Sequence, residues 1–522
     1  MPYRSTEHLM HLIDRMTPAE KRQFRMAVNK NNHKGDVLFL SLFDVLDKSS
    51  SYDEELILKR IPGIKKGQLS NIKSNLYKQL LASLRQQKKN SKLSITIREN
   101  IDYAVILHAK GLYNAALDIL EKTKKIALES DYHLSVLLIL ELEKHIEGLY
   151  ITGSMHPKAK ALKSQTLDAL KHVNINHRLS NLSLSLYGLY LQYGYVKDER
   201  DFDFVTDFFR NNLPDADPTS LDFYGKLYLY QSHVWYYNMV QDFANNFKYA
   251  QRWVELYHSE PEWIDRELTM YIKGLHNVLN SLFMAQKYER FGPTYMELLS
   301  LTESHAARMN RDELGTFKLI EHTHGINQFF LTGDFEQGVQ YVKNVEDLLI
   351  ENPHNWDLNR IILFHYKMAS IYFCNGQWED SIRLLNKITN RIYPNFKEDI
   401  QAFSRILNLI AHFELGNVLL VNHQIRATYR YLSKIKQLDK VLRTILNFVR
   451  RIPRIAEEDV QQEFIKLRDH LLTLEQDPFE RRSFLYLDII SWLESKIENR
   501  PVGDVIRDKL RASSTCPAKS PL

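Results

Sequence analysis

Apolar residues recur along this chain at intervals of three and four, the spacing that places them on one face of a helix. Leu69, Ile72, Leu76, Leu80 and Leu84 mark one such stripe, and Leu38, Leu42, Val45 and Leu46 mark another. Helix starts are written just ahead of such stripes. Thr17-Pro18-Ala19-Glu20 has the form of a capping box with proline at the first helical position, where its missing donor costs nothing, so a helix is predicted from Pro18 to Asn29. Asp36 is expected to cap a second helix from Val37 to Asp47, and Asp53 to open a short third. Pro62-Gly63 ends that one, and the Leu69 to Leu84 stripe marks a long fourth. Residues 1–95 therefore read as a compact helical module.

From about residue 96 the pattern repeats. Its markers are turn tripeptides between helices: Gly111-Leu-Tyr113, Gly153-Ser-Met155, Arg200-Asp-Phe202, Gln241-Asp-Phe243, Gln286-Lys-Tyr288, Gly333-Asp-Phe335, Gly376-Gln-Trp378 and Gly416-Asn-Val418. They follow one another at spacings of 40 to 47 residues, and a large apolar residue stands two after every anchor. A period of this length holds two helices of roughly 18 residues, and neither can bury its apolar stripe without stacked neighbours. After Ser433 the phase is lost. Helices are expected near Leu438 to Arg451, Glu457 to Leu474 and Pro478 to Glu498, and residues 436–498 read as capping helices. Residues 499–522 read as a disordered tail.

Gly111-Leu-Tyr-Asn-Ala-Ala116, with Ala104 seven before the glycine, resembles the G-x-Y-x-x-A turn of tetratricopeptide repeats. Gly376-Gln-Trp-Glu-Asp-Ser381, with Ala369, is similar, as is Gly333-Asp-Phe-Glu-Gln-Gly338. The period is longer than that family's, its Trp-Leu-Gly signature is missing, and Pro293 stands seven after the Gln286 anchor. The resemblance implies an all-α superhelical solenoid of antiparallel, tetratricopeptide-like helix pairs over residues 96–435, about eight pairs, preceded by the small N-terminal module.

Composition narrows the picture. The 522 residues exceed one typical domain, and 44% are apolar, enough for a sizeable core. With 18 Gly and 15 Pro, the chain is poor in the turn-formers that strand-rich architectures need. Two cysteines, Cys374 and Cys516, cannot build a disulfide framework or a four-thiolate zinc site, which fits a reducing compartment. The N-terminal segment lacks the apolar core of a secretory signal, and Ser180 to Val196 is too polar to cross a bilayer well. A soluble, cytoplasmic protein with no membrane insertion is expected. Charge is uneven: from Leu56 to Arg98 there are eleven basic residues and no acidic one, and a second basic stretch runs from Arg426 to Arg454.

Catalytic signatures are missing. The chain has no G-x-G-x-x-G, no Walker-type phosphate loop, no G-x-S-x-G and no His-Glu dipeptide. His322 and His324, two apart on a helix, should point in opposite directions, one inward and one outward. Cys374 reads as a buried small residue before it reads as a nucleophile. No enzyme activity, cofactor or metal is expected.

Two features point to binding. Around Gly63, helix, turn and helix follow one another with apolar residues six and nine later at Leu69 and Ile72, which looks like a helix-turn-helix. In it Lys65, Lys66, Gln68, Asn71 and Lys73 would face phosphates and base edges; a basic capping module is the competing reading. The second feature follows from the resemblance, which places the groove-facing residues of each first helix 13, 10 and 6 before the anchor. Tyr187, Tyr190, Tyr228, Trp235, Lys273, Asn280, Asn327 and Tyr366 are the peptide-groove candidates so obtained. In that family an asparagine at the place of Asn280 and Asn327 holds a peptide backbone or terminal carboxylate, and Lys273 and Lys367 would supply charge. Nine tyrosines between Tyr187 and Tyr237 read first as half-buried helix packing with hydroxyls to solvent, and would also suit a recognition surface. The expected function is a non-enzymatic protein- or peptide-binding scaffold. The alternative is a regulator whose N-terminal module binds nucleic acid and whose repeats sense a peptide or protein.

Overall fold

The computed structural model describes residues 2–31, 34–49, 51–88, 92–149, 155–352, 354, 356–390, 398–434, 439–452, 455–477 and 479–515. It is 84% helical, with no strand among the described residues. Two compact units divide the chain, Met1–Asn174 and Ile175–Leu522.

In the first unit come α1 (Pro2–Arg15), α2 (Pro18–Asn31), α3 (Lys34–Asp47), α4 (Glu54–Arg60) and α5 (Lys66–Lys88), then α6 (Leu93–Ala109), α7 (Tyr113–Leu128), α8 (His133–Leu149) and the start of α9 (Met155–Tyr193). The capping box forms as written: the Thr17 amide donates to Glu20 Oε2 at 2.8 Å and the Glu20 amide to Thr17 Oγ1 at 3.2 Å. Asp53 caps α4 by accepting from the Leu56 amide at 3.1 Å. Leu9, Phe24, Phe43, Ile57, Leu69, Leu76 and Leu80 close a core of their own. Helix α3 begins two residues before Asp36, so that residue does not open it. A separate core lies among α6 to α9, where Ala104 and Ala116, both fully buried, let α6 and α7 approach.

The second unit holds the rest of α9, then α10 (Glu199–Asn212), α11 (Phe223–Met239), α12 (Phe243–Ser259), α13 (Glu262–Arg266), α14 (Leu268–Met284), α15 (Tyr288–His305), α16 (Arg311–Thr332), α17 (Phe335–Glu351) and α18 (Leu358–Cys374). It continues with α19 (Trp378–Thr389), α20 (Glu398–Glu414), α21 (Val418–Lys434), α22 (Lys440–Arg451), α23 (Glu457–Glu475), α24 (Arg482–Tyr486), α25 (Ile489–Glu498) and α26 (Val502–Thr515). From α14 to α22 most helices pack on the next in sequence, and α14, α16, α18, α20 and α22 also pack on one another in that order.

The turn markers have a common physical cause. Gly111, Gln241, Gln286, Gly333, Gly376 and Gly416 all adopt left-handed backbone, with φ between 54° and 75°. Such a residue reverses the chain after a helix, and glycine does so at least cost. Where aspartate follows, it caps the next helix: Asp242 accepts from the Asn245 amide at 3.1 Å and Asp334 from the Gln337 amide at 3.3 Å. The aromatic one place later begins the next helix and packs inward, Phe335 most completely. Gln286 is exposed and carries a side chain in a conformation that disfavours one. Gln286→Gly should therefore stabilise the protein by about 0.5–1 kcal/mol in chemical denaturation; a loss of stability would show that the glutamine side chain matters there.

Four expectations need correction. Arg200 is not a turn: it lies inside α10, capped by Asp198, and the left-handed residue is Gly194, φ 73°. The Gly153 marker lies outside the described residues. No turn divides residues 155–193, which form one 39-residue helix that admits Pro157 in its first turn and runs unbroken through Gly188. The third C-terminal helix is broken at Leu487, whose extended backbone (φ −141°, ψ 114°) lets Asp488 cap α25. Much of the expected disordered tail is α26, whose Val505 and Ile506 are buried. It packs on α16 and α25, and Arg507 donates to the Gly333 carbonyl at 2.8 Å. Gly333 and Gly503 meet backbone to backbone there: a Cβ on either would lie 2.4 Å from the other's carbonyl oxygen. Cys516 lies outside the described residues.

Candidate functional site

Helices α14, α16 and α18 bring four polar side chains from far-separated stretches into one chain of hydrogen bonds. Lys367 Nζ donates to Asn327 Oδ1 at 2.6 Å, Asn327 Nδ2 faces His324 Nδ1 at 3.4 Å, and His324 Nε2 faces His276 Nδ1 at 2.9 Å. The donors fix the direction. An asparagine whose oxygen takes the lysine proton donates through its nitrogen, so His324 accepts at Nδ1 and donates from Nε2. His276 then accepts at Nδ1 and carries its own proton on Nε2. The chain ends in an ammonium at Lys367.

Electrostatics agree with this assignment. His324 is fully buried, and burial, then His276 and Lys367, hold its pKa well below the usual histidine range, so the ring is neutral. Burial alone pushes Lys367 down to about 8. Its ammonium sits 5.5 Å from the Phe283 ring centroid and has no carboxylate partner among the described residues. A lysine in this position favours an incoming anion, since an opposite charge would restore what desolvation removes.

The groove candidates divide. Asn327 is buried and belongs to this chain. Asn280, one turn beyond His276 on α14, is half-buried and has no hydrogen-bond partner among the described residues. Lys273 is exposed on the same helix. Tyr187 and Tyr190 gather on Trp235, with ring centroids 4.7 and 5.7 Å away, and form a separate aromatic group near α10 and α11. Tyr228 is half-buried and stacks on Tyr224 at 6.2 Å. Tyr366 is buried, and its hydroxyl donates to the Tyr486 carbonyl at 2.7 Å, so it faces the C-terminal helices. Because Gly194 and not Arg200 is the turn, Tyr187 and Tyr190 do not occupy the register assigned to them.

No sequence motif pairs His276 with His324. One signal for the cluster existed: His324 and Lys367 each stand nine residues before a turn glycine, Gly333 and Gly376. His322 bonds to Tyr341 Oη at 2.9 Å, so the two histidines of the H-x-H do diverge, yet both turn into the protein. Burial pushes the Cys374 thiol well up, leaving it protonated and a poor nucleophile.

On the N-terminal module, Lys65, Lys66, Gln68 and Asn71 are exposed at the start of α5. Lys66 lies 3.7 Å from Glu54. Lys73 turns away from them: it donates to Tyr52 Oη at 2.9 Å and lies over that ring at 4.4 Å. Burial lowers its pKa. Among the described residues no helix is long and apolar enough to cross a membrane. Compared with known protein families and with curated proteins, the chain matches none.

Proposed function

We propose that this chain is a non-enzymatic, cytoplasmic scaffold whose helices stack as antiparallel, tetratricopeptide-like pairs in a solenoid and whose first helices hold a protein or peptide partner. The observation that carries the reading is Lys367, an ammonium with no carboxylate partner among the described residues, at the end of a hydrogen-bonded chain. Its complement is a carboxylate, at a peptide C-terminus or on an acidic side chain. Asn280 and Lys273 supply further polar contacts along α14, and the Tyr187, Tyr190 and Trp235 group offers apolar area beside α11.

The pH dependence follows from the lysine. Its pKa in the protein, about 8, lies below the value for a free lysine, so the charge that attracts the partner is complete below pH 8 and is lost as pH rises through it. A displayed library of random peptides should yield binders that need a free carboxylate at pH 7, bind more weakly at pH 9, and are lost with Lys367→Met. Binders insensitive to both pH and the substitution would remove the reading.

The alternative, a nucleic-acid-binding N-terminal module, draws support from the exposure of Lys65, Lys66, Gln68 and Asn71 at one end of α5. Cations at a helix N-terminus oppose its dipole and gain from an approaching phosphate. Lys65→Glu with Lys66→Glu should then abolish a gel shift of duplex DNA or RNA at roughly 50 mM salt. Lys73 should matter through Tyr52 and stability, not through phosphate. No shift by the intact protein at that salt would dispose of this alternative.

A further inference from the structure

The first unit contains a cavity of ≈ 360 Å³ between α8 and α9 that none of the foregoing uses. Its rim carries Lys144, Lys158 and Lys163; Ala159, Leu162 and Leu167 form an apolar wall. The volume lies near the lower end of the ~300–1,000 Å³ of small-molecule sites. Only one of the three lysines is neutralised. Lys158 pairs with Glu147, which is 9% exposed and so is held by that bond inside the groove. Lys144 and Lys163 have no ionic partner among the described residues.

Apart from its lysines, the α9 wall has little to offer a polar group. The Thr166 hydroxyl spends its proton on the Leu162 carbonyl at 2.7 Å, and Leu167 stands 57% exposed with its apolar surface turned to water. Gly148 leaves the space above α8 open, since a Cβ built there meets no atom of the described residues within 4 Å. Cationic and apolar side chains thus line the same groove, Lys144 from α8 and Lys163, Ala159, Leu162 and the exposed Leu167 from α9.

We infer that this groove binds a small amphipathic anion, its charged head between Lys144 and Lys163 and its apolar body of roughly eight carbons along Ala159, Leu162 and Leu167. Each part of the ligand answers one set of side chains: the head supplies the counter-charge that Glu147 gives to Lys158 alone, and the body removes the exposed Leu167 surface from water. A neutral hydrocarbon would leave the lysines uncompensated, and a bare anion would leave the leucine wall wet.

The probe is octanoate, titrated calorimetrically into the full chain, with 1-octanol as the uncharged body of the same length. Octanoate should bind one per chain and octanol about tenfold more weakly or not at all. Gly148→Leu puts a side chain into the groove, its Cβ meeting no atom of the described residues within 4 Å, and replaces a helical glycine by a better helix former, so it should preserve the melting temperature and weaken octanoate by about tenfold or more. Lys144→Gln with Lys163→Gln should weaken octanoate toward the octanol value. Equal binding of octanoate and octanol, undiminished binding by a folded Gly148→Leu protein, or no octanoate binding by the wild-type chain would each overturn the assignment.

Discussion

Gly333→Val should cost the second unit about 3 kcal/mol or more and release α26 from its seat. Two independent penalties act at that position. Gly333 holds φ at 69°, a conformation that costs a side chain roughly 1–2 kcal/mol and a β-branched one more. The added Cβ would also lie 2.4 Å from the Gly503 carbonyl oxygen, which is backbone and cannot rotate away. Gly503→Ala separates the two, because Gly503 is not left-handed and the close contact its Cβ makes is with the Gly333 carbonyl oxygen, the Arg507 and Phe335 side chains lying at an ordinary 3.4 Å. Hydrogen exchange reads the result directly: residues 502–515 should lose protection in both variants, more in Gly333→Val. Wild-type protection of α26 in both would mean that the backbone contact is not what holds that helix.

The second large effect is expected at Ala116→Arg. Ala116 is fully buried beside α6, together with Ala104, and the space it leaves is what lets the two helices approach. A guanidinium there must either be desolvated without a partner or push α6 away. Either route costs roughly 3–5 kcal/mol. Thermal unfolding and exchange over residues 93–149 should both register it. A change under about 0.5 kcal/mol, typical of surface positions, would show that α6 and α7 do not pack as described. Trp378→Asp, by contrast, should be milder, because that tryptophan is only half-buried.

The helices were legible because their signals are local. Thr17 and Glu20 announce a capping box three residues apart, and Asp53 a cap, and both form. The turn glycines were legible for the same reason. Gln241 and Gln286 were found only by spacing, since nothing in a glutamine signals left-handed backbone. Spacing also misled: Phe202 stands two after Arg200 and so satisfies the marker, while the residue that turns the chain, Gly194, precedes it by six. At the C-terminal end, the Ser- and Pro-containing last residues outweighed Val502, Val505 and Ile506, which carry the apolar face of α26.

The site was less legible than the fold because its contacts are distant. His276 and His324 are 48 residues apart and Asn327 and Lys367 are 40 apart, so no window of sequence holds a pair. Tyr366 was placed in a groove by register, and what buries it is a carbonyl 120 residues later. Position relative to a turn is local information, whereas what covers a side chain is not.

The seat of α26 on Gly333 also sets an order of events during synthesis. Arg507, which closes on the Gly333 carbonyl, is made 174 residues after it. At about 5–20 residues per second the ribosome needs roughly 9 to 35 s to cover that distance. For that interval the α16–α17 turn and the Phe335 beside it exist without the helix that covers them. The nascent chain therefore carries an uncovered apolar site in mid-sequence, open to chaperones or to a neighbouring chain's α26, until its own arrives.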